Sequence, residues 1–300
     1  MQLRLGINTC FAVKRWPRTA DWGPIVADRL GLSLVQHSLD LVDLGVDDPR
    51  AVRQELADFQ LELHSVFTGL AAYSSNLLLH PIAGARDAAV AWYRSAIAWT
   101  AIAGGMAMGG HVGAFSVADW ADPAVRRERW SDLRESLDRL AGEARTAGLD
   151  HLLVENLAVA REPSTMPMIR ELVTAGDAER VPIRLCLDVG HMCVPGTSGP
   201  ERDPYAWLSA VGTLATVIQL QQSDANGDHH WPFTRDRNAD GRIDADRTID
   251  ALREGGVQSC VLMLEVIPAF EQPDEDVLSD LVASVDYWRE ALERRGVLAP

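Results

Sequence analysis

Three short apolar runs in this chain each end in an acid: His151-Leu-Leu-Val-Glu155, then Leu185-Cys-Leu-Asp188, then Val261-Leu-Met-Leu-Glu265. An unbroken aliphatic run marks a strand buried on both faces, as parallel strands are. An acid where the run stops sits at the strand's C-terminal end, where barrels of alternating strands and helices carry their chemistry. Three carboxylates converging from separate strands repel one another unless a cation or shared protons hold them. Glu155, Asp188 and Glu265, with His191 three residues beyond Asp188, therefore read together as a divalent metal site.

The elements that must position these acids are legible as a repeat. Strand-like runs recur at Leu3–Asn8, Leu32–His37, Leu61–Phe67, Gly105–Val112, Leu149–Glu155, Pro182–Asp188, Val217–Gln222 and Cys260–Ile267. Helix-length stretches separate them, which is the pattern of an α/β fold, a (β/α)8 TIM barrel. Pro123–Leu149 reads as one long helix, with Trp130, Leu133, Leu137, Leu140 and Ala144 at helical spacing and Gly148 as its stop, and Asp276–Leu292 as a closing helix. No linker, low-complexity tract or internal repeat interrupts the pattern, so residues 1–300 are expected to form a single barrel domain. Two polar segments, Pro195–Pro204 and Ser223–Asp244, follow strand C-terminal ends, where long loops shape pockets. Within the second, Asp236-Arg-Asn238-Ala-Asp240-Gly241 has the alternation of a calcium loop but lacks its closing Glu, and a solvated turn is expected.

Composition narrows the function classes. The 300 residues are 47% hydrophobic, enough for a large core, and the formal charge of -15 with no basic stripe argues against a nucleic-acid partner. No apolar run reaches the roughly 18 residues of a membrane span, and the first residues lead straight into a strand-like run, so a cytoplasmic protein without membrane contact is expected. Cys10, Cys186, Cys193 and Cys260 lie in or beside apolar runs without metal-knuckle spacing and read as reduced core thiols. Lys14 is the single lysine among 28 basic residues. It follows the first strand and so shares the rim of the acids, where its ammonium would suit a phosphate or a sugar hydroxyl.

Taken in order, Val-Glu155-Asn156, Asp188-Val-Gly-His191, Gln219-Leu-Gln221-Gln-Ser-Asp224 and Glu265 on the last strand resemble the xylose-isomerase-like superfamily of barrels, and more closely its sugar-phosphate isomerase/epimerase branch. Asp-Val-Gly-His is the most specific of these stretches. The resemblance implies one divalent ion held by Glu155, Asp188, the seventh-strand position and Glu265. In most relatives that position is His; here it is Gln221. A Gln carbonyl suits Mn²⁺ or Mg²⁺ and is a poor partner for Zn²⁺, so Mn²⁺ or Mg²⁺ is expected ahead of Zn²⁺ or Co²⁺. Apurinic endonucleases of the same fold draw extra histidines into a zinc cluster, for which His64, His111 and His230 would be the candidates. Gln221 and the acidic surface argue against that role, and these histidines are expected to line a pocket and donate to substrate hydroxyls.

The resemblance further implies proton transfer at C3 of a small ketose or ketose phosphate, with Glu155 and Glu265 exchanging the proton through an enediolate whose oxygens the ion holds and His191 orienting the carbonyl side. The wording of the loops, Gly-Ile-Asn8-Thr-Cys-Phe-Ala-Val-Lys14-Arg-Trp16-Pro and Asp228-His-His230-Trp231-Pro-Phe-Thr, is most similar to the erythrulose-phosphate (tetrulose-phosphate) 3-epimerases of erythritol catabolism. On that resemblance Trp16, Phe67, His111 and Trp231 line the pocket, and Lys14, Arg15 and Arg235 are the cations for the phosphate. An aldose–ketose isomerase, a metal-dependent dehydratase or carbon–glycoside lyase, and a non-catalytic sugar-binding barrel are the alternatives. Related barrels pair as dimers or tetramers, so a homo-oligomer is a further expectation.

Overall fold

The computed structural model describes residues 1–39, 44, 46–69 and 75–299. Among them the aliphatic runs form eight strands: β1 (Gln2–Asn8), β2 (Leu34–Ser38), β3 (Glu62–Phe67), β4 (Ala107–Gly110), β5 (His151–Glu155), β6 (Ile183–Asp188), β7 (Ala215–Leu220) and β8 (Ser259–Leu264). They follow one another in chain order and close into a barrel. Every expected run contains its strand or overlaps it. The seventh and eighth end earlier than the apolar runs do, leaving Gln221, Gln222 and Glu265 just past the strand ends.

The chain packs as two compact units, one of Met1–Gln36, Glu55–Glu62 and Cys186–Pro300, the other of His37–Gln54 and Leu63–Leu185. In the first, β1 runs parallel to β8 from Gln2 opposite Ser259 to Ile7 opposite Leu264, and β7 pairs with β8 up to Leu220 opposite Leu264. Ile7, Leu264 and Leu220 thus share a level. The next residues along, Asn8, Glu265 and Gln221, emerge together at the following one, and the Asn8–Gln36 pairing adds Gln36 from β2. In the second unit β4 pairs with β3 from Ser65–Ala107 to Phe67–Gly109, and with β5 from Ala107–His151 to Gly110–Val154. Its residues are small for a reason: Gly109 has φ 142°, and a Cβ there would lie 2.1 Å from the Leu153 carbonyl oxygen.

The helices Pro123–Ala147 and Asp274–Arg294 fall where the periodicity places them. Asp122 caps the first by accepting from the Ala124 and Val125 amides, Pro123 occupies its first turn, and Gly148 ends it at φ 87°. Leu133, Leu137 and Leu140 lie on its buried face and contribute about 6 kcal/mol of gross burial. Asp274, Glu275 and Asp276 in the first turn of the other complement its dipole.

One expectation is corrected. The calcium-like stretch is not a turn but a short helix, Arg235–Asp240, because the Thr234 hydroxyl accepts from the Arg237 amide and starts it. The four cysteines are free and buried. Burial pushes the Cys260 thiol up to about 12, and burial aided by the Glu265 charge raises Cys10 well above its ordinary value. No helix of the described residues is long and apolar enough to cross a membrane.

Candidate active site

In the first unit, Asp188 ends β6 fully buried, its Oδ1 accepting from the Gly190 amide at 2.6 Å. Glu265, 2% exposed, is fixed through its backbone amide to the Leu220 carbonyl at 2.8 Å and through Oε1, which accepts from Asn8 Nδ2 at 3.1 Å. Asn8 also donates to Gln36 Oε1 at 2.9 Å, which takes a second bond from Gln219 Nε2 at 3.1 Å. Three strands thereby lock the orientation of one carboxylate.

Gln221 is tied at both ends of its amide. Nε2 donates to Asp188 at 3.1 and 3.2 Å and to Asp228 Oδ1 at 2.7 Å, while Oε1 accepts from the His230 backbone amide at 2.6 Å. The next residue bends away, because Gln222 and Trp231 exchange backbone hydrogen bonds at 2.9 and 3.0 Å and double the loop back on itself. That return places Asp228 and His230 over the strand end. His230 Nε2 lies 3.2 Å from Asp228 Oδ1, and His191 Nε2 lies 3.3 Å from Asp228 Oδ2 and 3.8 Å from Asp188 Oδ2. Burial works against ionisation of Asp228, but the neighbouring imidazoles of His191 and His230 outweigh it and hold the carboxyl well below the usual range.

The ligand atoms of Asp188, His230 and Glu265 lie within 4.8 Å of one another. His230 Nδ1 is buried without a hydrogen-bond partner and faces Glu265 Oε2 at 3.8 Å. Two buried carboxylates and an imidazole nitrogen turned toward them form a donor set that a divalent ion fits. His230, Trp231, Asp236, Arg237, Ile267 and Gln272 help line a cavity of about 640 Å³.

The other sequence candidates of this unit lie along its rim. Lys14 is exposed at φ 67°, a left-handed conformation uncommon outside glycine. Arg15, by contrast, is spent: it pairs with Asp274 and donates to the Ala269 and Phe270 carbonyls at 2.9 Å. Arg235 is exposed at the start of its short helix, and Trp16 tilts against Phe11 at 6.2 Å. Trp231 stacks on His229 at 3.9 Å, with the Arg237 guanidinium 4.3 Å from its ring centroid.

In the second unit, Glu155 ends β5 at 2% exposure, and β5 precedes β6 in the barrel order. His64, at the middle of β3, is buried with Nδ1 3.1 Å from the Ser65 hydroxyl. His111 follows β4; its Nδ1 accepts from the Gly113 amide at 3.1 Å, which leaves Nε2 to carry the proton toward Glu162 Oε1 at 3.2 Å. Tyr93 and Thr68 donate to the His111 carbonyl and fix it further.

The sequence reading passed over three residues of this region: Asp228, Gln222 and Glu162. The first stood in plain view two places before His230, and its acid-x-histidine spacing was the available signal; the other two carried none.

The chain belongs to the xylose isomerase-like TIM barrel family, whose model matches residues 26–293. Over 96% of both chains it is 27% identical to the D-erythrulose 1-phosphate 3-epimerase of Brucella abortus (strain 2308). A Rhodospirillum rubrum protein assigned as a xylose isomerase shares its structure with a TM-score of 0.86 and 31% identity, over 96% of this chain and 99% of that one. The crystal structure of a D-tagatose 3-epimerase-like protein superposes with a TM-score of 0.76 at 15% identity over 98% of each chain, a likeness of fold.

Proposed function

We propose that the protein is a sugar isomerase that inverts C3 of erythrulose phosphate, a four-carbon ketose phosphate, with the help of one divalent ion. The observation that carries this reading is the burial of Glu155, Asp188 and Glu265, each at or just past the C-terminal end of its strand, at 2, 0 and 2% exposure. Buried acids of this kind are retained where an ion or a reacting proton uses them. The similarity to the Brucella abortus enzyme supports the choice of substrate.

Asp188, Glu265 and Glu155 would hold the ion, Mn²⁺ or Mg²⁺ ahead of Zn²⁺ or Co²⁺. When bound, it would supply Lewis acidity toward the substrate. Glu265, its Oε1 held by Asn8, and Glu155 take the C3 proton and return it on the opposite face. His191, braced by Asp228, donates toward the carbonyl side of the substrate. Trp16 and Trp231 enclose the carbon chain, and His64, His111 and His230 border it. Lys14 and Arg235 supply the exposed positive charge for the phosphate, a duty from which Arg15 is excluded by its bonds to Asp274, Ala269 and Phe270.

The test is NMR of erythrulose 1-phosphate in D₂O with Mn²⁺ and then with EDTA. Deuterium uptake at C3 together with the epimer, lost on chelation, is the expected result. Exchange at C1 with an aldose product would make the enzyme an aldose–ketose isomerase, and absence of exchange on any small ketose would remove the epimerase reading.

A further inference from the structure

The position from which the resemblance implies a fourth ligand holds an amide whose two ends are both hydrogen-bonded within the protein. The partners of Gln221 identify its two ends without ambiguity. A backbone N–H only donates, so the atom 2.6 Å from the His230 amide is the oxygen; the ionised Asp228 carboxylate only accepts, so the atom 2.7 Å from it is the nitrogen. The oxygen that would ligate an ion is therefore turned to the His230 amide, and the end that faces Asp188 is the nitrogen, which has no lone pair for one.

The imidazole that Gln221 holds is in the opposite condition. His230 is 8% exposed and its backbone sits at φ 49°, a conformation a non-glycine residue keeps only when its surroundings impose it. Here they do: the His230 amide is taken by Gln221, its carbonyl accepts from the Ile267 amide at 3.1 Å, and its neighbour Trp231 is bridged to Gln222. Nε2 lies 3.2 Å from Asp228 Oδ1 and 3.5 Å from Gln221 Nε2, while Nδ1 faces Glu265 Oε2 at 3.8 Å with no hydrogen bond of its own. A carboxylate on the far nitrogen is the arrangement that orients a metal-bound histidine and raises its basicity.

We propose that His230 Nδ1, delivered by the loop after β7, is the nitrogen ligand of the ion, with Asp228 as its outer carboxylate and Gln221 as a positioning residue. The inference rests on the reading of the site as a divalent-ion centre and changes which residue completes it. A chain with Gln on the seventh strand thereby recovers an imidazole donor nine residues further on. Gly190 is part of the same device, since a Cβ there would fall 2.3 Å from Gln221 Cδ and push the amide off its partners.

The experiment is Mn²⁺ titration of the full-length protein followed by pulsed EPR, which detects nitrogen bonded to the ion. The expected results are one tight Mn²⁺ with imidazole nitrogen coupling in the wild type, loss of that coupling in H230Q with affinity down about 100-fold, and retention of it in Q221L. D228N should keep the coupling and weaken binding by about 10- to 100-fold. Coupling that survives in H230Q overturns the inference and leaves the ion site standing; a wild-type protein that binds no Mn²⁺ overturns both. Should H230Q not fold, H191Q decides, because the coupling persists there if His230 is its source and vanishes if His191 is.

Discussion

Gln222 is fully buried and its amide makes four hydrogen bonds, to Asn238 Oδ1 and the Ile243 carbonyl through Nε2 and from the Ser223 and Ile243 amides through Oε1, all between 2.9 and 3.0 Å. It ties the start of the loop after β7 to its end. At about 1 kcal/mol net for each bond, Gln222→Leu, which keeps the bulk and removes the amide, should cost about 4 kcal/mol. That is a large share of the 5–15 kcal/mol or so that stabilises a typical domain. Gln222→Ala should cost as much and somewhat more, since it also leaves a void. Urea unfolding followed by tryptophan fluorescence measures both variants against the wild type. If Gln222→Leu unfolds within about 1 kcal/mol of the wild type, the hydrogen-bond reasoning is wrong and the loop is held by packing alone. Because the same loop carries Asp228 and His230, Mn²⁺ affinity should fall in both variants although neither touches a donor atom.

Three further outcomes are expected. Glu265→Gln and Glu155→Gln should each lower turnover about 10³-fold in a folded protein, and activity within about tenfold of the wild type in either would remove the two-carboxylate mechanism. Burial depresses His37 and His151 to about 4, so each stays neutral in the folded chain while the unfolded chain takes up a proton below its ordinary value of 6.5. Stability is therefore complete above pH 6.5 and lost as pH falls toward 4, by about 2 kcal/mol per histidine between pH 7 and 5; a flat profile over that interval would contradict the buried neutral state. Lys14→Ala should raise KM for the phosphorylated ketose about tenfold, the worth of one charge-assisted hydrogen bond, and leave the unphosphorylated sugar unaffected. Equal effects on both sugars would exclude Lys14 from phosphate binding.

The barrel was legible in the sequence because a parallel strand covered on both faces has no polar alternation to blur it, and Val261-Leu-Met-Leu before Glu265 is such a strand. Where the acids fall relative to strand ends was legible for the same reason. The loop after β7 was not. Arg235–Asp240 contains no apolar periodicity, and the Thr234 cap shows why it coils. Gln221 illustrates a different limit: its place at the end of a strand can be counted along the chain, but what its amide faces depends on a hairpin return through Gln222 and Trp231 that no local pattern encodes. Asp228 gains its role from the same return, which brings two histidines to one carboxylate.

Lys14 has a consequence for how the protein can be handled. It is the chain's single lysine and it stands exposed on a left-handed turn just beyond β1. An amine-reactive dye therefore meets one ε-amino group, and the four buried thiols do not compete for it. The polypeptide thus carries one side-chain amine for a fluorophore beside its α-amino group, at the proposed phosphate end of the pocket, and a sugar phosphate that shields this side chain would reveal its occupancy as slower labelling of Lys14.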